Sequence, residues 1–156
     1  MESLLISANE VMALAFTASE RVRPDMVGDA KIETAQLRYV KPVLGGLYDV
    51  LQETRYESFV EEYLKAPLAL FVKAEVIDDA TASMGSMGVV VPAPRYGEPA
   101  GCEHLAHLKK QTLRNAETLL GKAVRHIGEN LPLFPEYDSR DNIQGSISRK
   151  GGIVIG

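Results

Sequence analysis

The sequence predicts a mainly α fold, a bundle of four to five helices with a minor β element. Three observations carry this. Apolar residues recur every three or four positions through residues 32–51, 59–72 and 105–127, the period of a helix with one buried face. Hydrophobic residues make up 46 % of the 156, enough for a real core, and only one short run, VVV at 89–91, has a strand-like look. Prolines and glycines gather at the joints between the periodic segments.

Each element follows from local chemistry. Ser7 followed by Glu10 has the form of a capping box. It opens a short helix over 8–18 with Val11, Leu14, Ala15 and Ala18 on one face, after an extended or loosely ordered start at 2–6. RVRPDMVGD is a polar connection, and Asp29 is placed to cap the next helix. In KIETAQLRYVKPVLGGLYDVLQE, residues 31–53, the stripe Ile32, Ala35, Tyr39, Val43, Leu47 and Leu51 is interrupted by Pro42, Gly45 and Gly46. Proline costs little in a first helical turn, so the economical reading is two helices, 30–41 and 43–53, kinked at Pro42. The glycines then allow close approach of another backbone. YLKAPLALFVKAEVI repeats the form, with a kink at Pro67 inside a helix from 57 to 76. MGSMGVVVPAPRYGEPAG reads as a short strand at 88–91 and a loop. A long helix at 103–130 carries Leu105, Leu108, Thr112, Leu119, Ala123 and Ile127, and ends at Asn130 before Pro132 and Pro135. Residues 1–137 form one helical domain. Residues 138–156 are an extension or arm whose Ile153, Val154 and Ile155 follow a Gly–Gly hinge. This arm adds a strand to a neighbour's sheet edge, folds back on the VVV of its own chain, or stays unordered.

Composition narrows the function. A net charge of −4 argues against a general nucleic-acid surface. The single cysteine removes the disulfide-stapled class. The start MESLLISANE has an acid where a secretion signal carries a basic region, and no stretch has the ~18–20 apolar residues of a membrane span. The expectation is a soluble protein, cytoplasmic when made.

Candidate chemistry is sparse. Cys102, His104 and His107 have the spacing of a helical metal site, and a small metal-binding protein or enzyme centred on them is the alternative reading. A solvated helix start explains the same residues. MGSMG lacks the Lys–Ser/Thr pair of a phosphate loop. Glu61–Glu62 and Asp78–Asp79 point apart on a helix and suit solvated faces better than acid–base work. Tyr39, Tyr48, Tyr56 and Tyr63 read as core residues with hydroxyls at the rim. No catalytic residue, cofactor, metal, membrane or small-molecule substrate is expected.

Three stretches resemble a known family. ETAQLRYVKPVLGGLYDVL at 33–51, with its Pro42-Val43-Leu44-Gly45 core, MGVVVP at 87–92 and ENLPLFPEY at 129–137 are similar to small phage and prophage proteins of gut anaerobes, some of which look like head–tail connector (adaptor) proteins. The resemblance implies a virion structural role without catalytic residues, in a ring between portal and tail. Its partners would be portal, tail or stopper subunits and further copies of the chain, and its destination the virion. A ring subunit needs two different faces, which bent helices and an arm can supply. Pro42, Gly45, Gly46 and Pro67 are the expected structural joints, and Ile153–Ile155 the expected arm. A regulatory binding module of the host cell is a third reading.

Overall fold

Both prolines sit inside helices, and the chain prepares for each in the same way. The computed structural model describes residues 3–17, 24–86 and 101–142. Helix α1 is Ala8–Ala15. Helix α2 spans residues 29–44: the α-helical Asp29–Ala35, a π turn at Gln36–Val40, then the α turn Lys41–Leu44 that holds Pro42. Helix α3 spans residues 57–86, with a π turn at Val60–Leu64 before Lys65–Ser86, which holds Pro67. Helix α4 is Gly101–Glu129. The Lys41 N–H reaches back five residues to the Gln36 carbonyl, and the Lys65 N–H five residues to Val60. A proline ring clashes with the carbonyl four residues earlier; the wider turn just upstream moves the carbonyls that it would meet. Helical backbone therefore passes through Pro42, where the sequence suggested two helices meeting, and through Pro67, where it suggested a kink within one helix.

The break falls at Gly45, with φ 57° and ψ −128°. A side chain is strained there and glycine is not. A 3-10 segment, Gly45–Val50, follows. Beside it, a Cβ added to Gly46 would lie 3.4 Å from the Glu136 carbonyl oxygen. The close backbone approach expected of the glycine pair thus occurs at Gly46, while Gly45 supplies the turn.

Helix α3 is the centre, packed by α1, α2 and α4. Every residue from Phe71 to Ile77 is buried, Lys73 and Glu75 included, which is what a helix covered on all sides requires. Its two charges are accommodated. Lys73 Nζ donates to the Ala15 carbonyl at 3.0 Å and lies 5.2 Å from the Phe16 ring. Glu75 accepts from Arg38 Nη1 at 2.6 Å, tying α3 to α2. Tyr39 stacks on Phe71 with ring centroids 4.4 Å apart. Lys109 of α4 pairs with Asp78 of α3 at 2.7 Å.

Several expectations are corrected at element ends and in phase. The Ser7–Glu10 capping box is present, but α1 stops at Ala15 and Leu14 faces solvent; Ala18 lies outside the described residues. Gly28, not Asp29, occupies the cap position of α2, with Asp29 in its first turn. Residues Leu5 and Ile6, expected to be loose, are core residues at 8 % and 3 % exposure. On α4 the buried line is Thr112, Ala116, Leu120, Ala123 and Ile127, so Leu120 takes the place expected for Leu119. No strand occurs among the described residues; the expected strand at 88–91 and residues 143–156 of the arm lie outside them, while the start of the arm forms a 3-10 turn, Ser139–Asp141. One core cluster runs from Leu5 to Phe134.

Candidate functional site

Aromatic residues at spacings of three and four put Tyr56, Phe59 and Tyr63 on one side of the start of α3. They face His126 in the last turn of α4 and Phe134 in the turn that follows it. That turn exists because Asn130 ends α4, its amide donating to the His126 carbonyl at 2.9 Å, and because Pro132 and Pro135 bar a further helix. Leu131–Leu133 form one 3-10 turn and bring Phe134 back onto α3.

The rings interlock. Tyr63 and His126 stack with centroids 4.3 Å apart and planes within 15°. Phe59 meets Phe134 edge-on at 4.9 Å, and Tyr56 stacks on Phe134 at 5.7 Å. Lys122 Nζ sits 5.9 Å from the Tyr63 centroid, a cation over a ring face. Outside this floor lies an open groove of about 430 Å³, with Leu133 and Pro132 on one lip and Ser58 and Glu62 on the other. Leu133 is 64 % exposed and Leu131, in the same 3-10 turn, 51 %, unusual values for two large apolar side chains so close together.

A polar staple holds the lip in place. The Tyr56 hydroxyl donates to Glu136 Oε2 at 2.5 Å, and Arg55 pairs with Glu136 and, at 2.6 Å, with Glu53. The Arg55 guanidinium also lies over the Tyr56 ring at 4.6 Å. Burial pushes the Tyr56 hydroxyl up from its ordinary value, against the opposing pull of Arg55, so it stays protonated and keeps donating. The groove therefore offers flat ring faces, an apolar lip and a peripheral carboxylate. Such a surface suits an apolar segment.

The other expected sites are distributed elsewhere. His104 and His107 are exposed near the start of α4, and no group of three metal-ligating side chains comes together among the described residues. The Cys102 side chain lies outside them, as do Ile153, Val154 and Ile155. Pro42, Gly45 and Gly46 sit at the end of α2, and Pro67 is buried in α3. Tyr48 and Tyr56 are buried and Tyr39 and Tyr63 partly so. Sequence reading passed over His126 and Phe134, although FPEY after a helix stop was the available signal. Gln36 is also absent from it: helical spacing from Ile32 and Val40 puts it on the buried stripe, but its polarity hides it. No described helix is long and apolar enough to cross a membrane.

Two of the three stretches that carry the resemblance meet in space, PVLGG at the end of α2 against FPEY through Gly46 and Glu136; the third, at 87–92, lies outside the described residues. No curated protein matches the chain, and no solved structure matches it. A family model does match, over residues 24–147, a span that takes in α2, α3, α4 and the aromatic groove. The chain therefore belongs to DUF6712, a family of unknown function.

Proposed function

We propose that this chain is a phage or prophage structural protein of the head–tail connector type, which works by docking against other subunits and makes or breaks no bond. The observation that carries the reading is the open aromatic groove, with Leu131 and Leu133 exposed beside it. Contiguous exposed apolar surface on a small domain is characteristic of an interface, and aromatic centres with a polar rim are the usual anatomy of one. The resemblance of residues 33–51 and 129–137 to connector-like proteins supplies the class of partner. That these two stretches meet across Gly46 and Glu136 supports a shared architecture. On this reading the chain is cytoplasmic in the host when made and enters the virion on assembly, without cofactor.

The test is binding to the portal ring encoded in the same genome. Native mass measurement of the purified chain mixed with that ring should show several copies bound per ring. Leu133→Glu, a change at an exposed position, should reduce the bound copies at least fivefold. An unchanged portal mass, or a genome without portal and tail genes beside this one, overturns the reading.

A further inference from the structure

We propose that the aromatic groove is the seat for residues 149–155 of a second copy of this chain, with Ile153 and Ile155 entering between Tyr63, Phe134 and Leu133. The inference rests on the subunit-assembly reading above and specifies the contact by which copies would join.

Four features of the chain fit the groove. In an extended segment alternate side chains share a face, so Ile153 and Ile155 point the same way, about 7 Å apart, with Val154 turned outward. A groove of about 430 Å³ is of the size that takes a small apolar cluster. Arg149 and Lys150 precede the apolar triplet by only Gly151 and Gly152. In the same extended register Arg149 shares the face of Ile153, about 13 Å away, which sets one cation toward exposed Glu62 of the groove lining. The chain from Asn142 to Ile153 covers eleven steps, about 35–40 Å at full extension, enough to reach a neighbour of this size. Residues 148–156 also fall outside the stretch matched by the family, whereas the groove falls inside it. Groove and segment are different surfaces, so the contact is heterologous, the kind that closes into a ring when its rotation permits.

The experiment uses the full chain. Ile155 is replaced by the photo-cross-linking amino acid p-benzoylphenylalanine in a nitrogen-15-labelled preparation. This is mixed with an equal amount of unlabelled chain at about 0.5 mM and irradiated, and the joined peptides are identified by mass spectrometry. Mixed-isotope pairs linking residues 150–156 to 55–63 or 126–135 are expected. Pairs of a single isotope only would mean that the segment lies on its own chain, and would overturn the proposal. So would the absence of any link to the groove. Ile153→Asp, and separately Leu133→Glu, should each lower the mixed-isotope yield at least fivefold with the melting temperature unchanged; an unaltered yield in both overturns it. Portal binding measured on the same samples reports separately on the connector reading: groove links without portal binding sink that reading alone, and portal binding without groove links sinks this inference alone.

Discussion

The Gln36 side-chain carbonyl accepts the buried backbone N–H of Leu5 at 2.7 Å. The same amide group donates to the Tyr48 hydroxyl at 2.9 Å and to the Ser3 carbonyl at 3.2 Å. One fully buried glutamine at the start of the α2 π turn thus joins the N-terminal segment, α2 and the 3-10 segment after Gly45. A buried donor left without a partner costs about 1–3 kcal/mol, and each further lost bond about 1 kcal/mol. Gln36→Leu keeps the volume and removes all three bonds. It should destabilise by about 3–5 kcal/mol, a fall of roughly 6–20 °C in melting temperature for a chain of this length. Tyr48→Phe should cost about 1 kcal/mol. A Gln36→Leu protein that melts within a degree of the parent would mean that the three bonds contribute nothing net.

The joint after α2 separates three residues that look alike in sequence. Gly45→Ala forces a side chain into φ 57°, ψ −128°, at about 1–3 kcal/mol. Gly46→Ala meets only ordinary contact with the Glu136 carbonyl at 3.4 Å and stiffens the unfolded chain, so it should stay within about 1 kcal/mol of the parent. Pro42→Ala should also be mild, because the π turn upstream already accommodates the ring. Urea denaturation of the three variants checks the order, and Gly45→Ala as stable as Gly46→Ala would contradict the assignment of the turn to Gly45.

How far the fold could be read from the sequence depended on what each segment's burial demanded. Periodicity located α2, α3 and α4 because each presents apolar residues at a fixed angular spacing, and Ser7 with Glu10 announced α1 through local capping alone. The π turns were invisible because inserting one residue in a turn shifts the stripe without removing apolar residues: Val40 is fully buried while Tyr39 lies only partly so. Leu119 and Leu120 are adjacent and equally apolar, so only packing against α3 decides between them. At the groove, Tyr56 and Tyr63 were legible as ring-bearing positions. Their juxtaposition with His126 and Phe134 joins residues some seventy positions apart: the helix stop at Asn130 is legible in the sequence, but the surface onto which Phe134 returns is not. Gln36 and Lys73 are the extreme cases, polar residues whose partners lie 31 and 58 positions away.

Lys73 also predicts a local effect distinct from the global one. Its ammonium caps the C-terminal end of α1 through the Ala15 carbonyl, where the helix dipole favours a cation. Lys73→Met keeps the buried stem and removes the donor. The loss should be about 1–3 kcal/mol, and amide exchange should quicken first in residues 11–16. Uniform acceleration across α3 and α4, with α1 no faster than the rest, would mean that the lysine serves the core generally rather than the end of α1.

The last prediction concerns acid. Lys65 lies between Glu10 and Glu61, pairing with both, and thereby ties α1 to α3. Its hydrogen bond holds the Glu10 carboxyl below the ordinary value of 4.5, and the same contacts raise Lys65 above 10.5. For a carboxylate depressed in the folded state, the contribution to stability is complete above the unfolded value and disappears as pH falls through the folded one. For the raised lysine it is complete below 10.5 and disappears as pH climbs past the folded value. Glu10→Gln isolates the first effect, because glutamine can still accept the Ser7 N–H in the capping box. The parent should exceed this variant at pH 7 by about 0.5 kcal/mol, since Glu10 is partly exposed and screened. The gap should begin to narrow below pH 4.5, close once the pH is well below the folded value, and shrink in 0.5 M salt at neutral pH. A gap that persists undiminished from pH 7 to pH 2.5 would show that Glu10 stabilises the protein through its capping geometry and not through the charge it presents to Lys65.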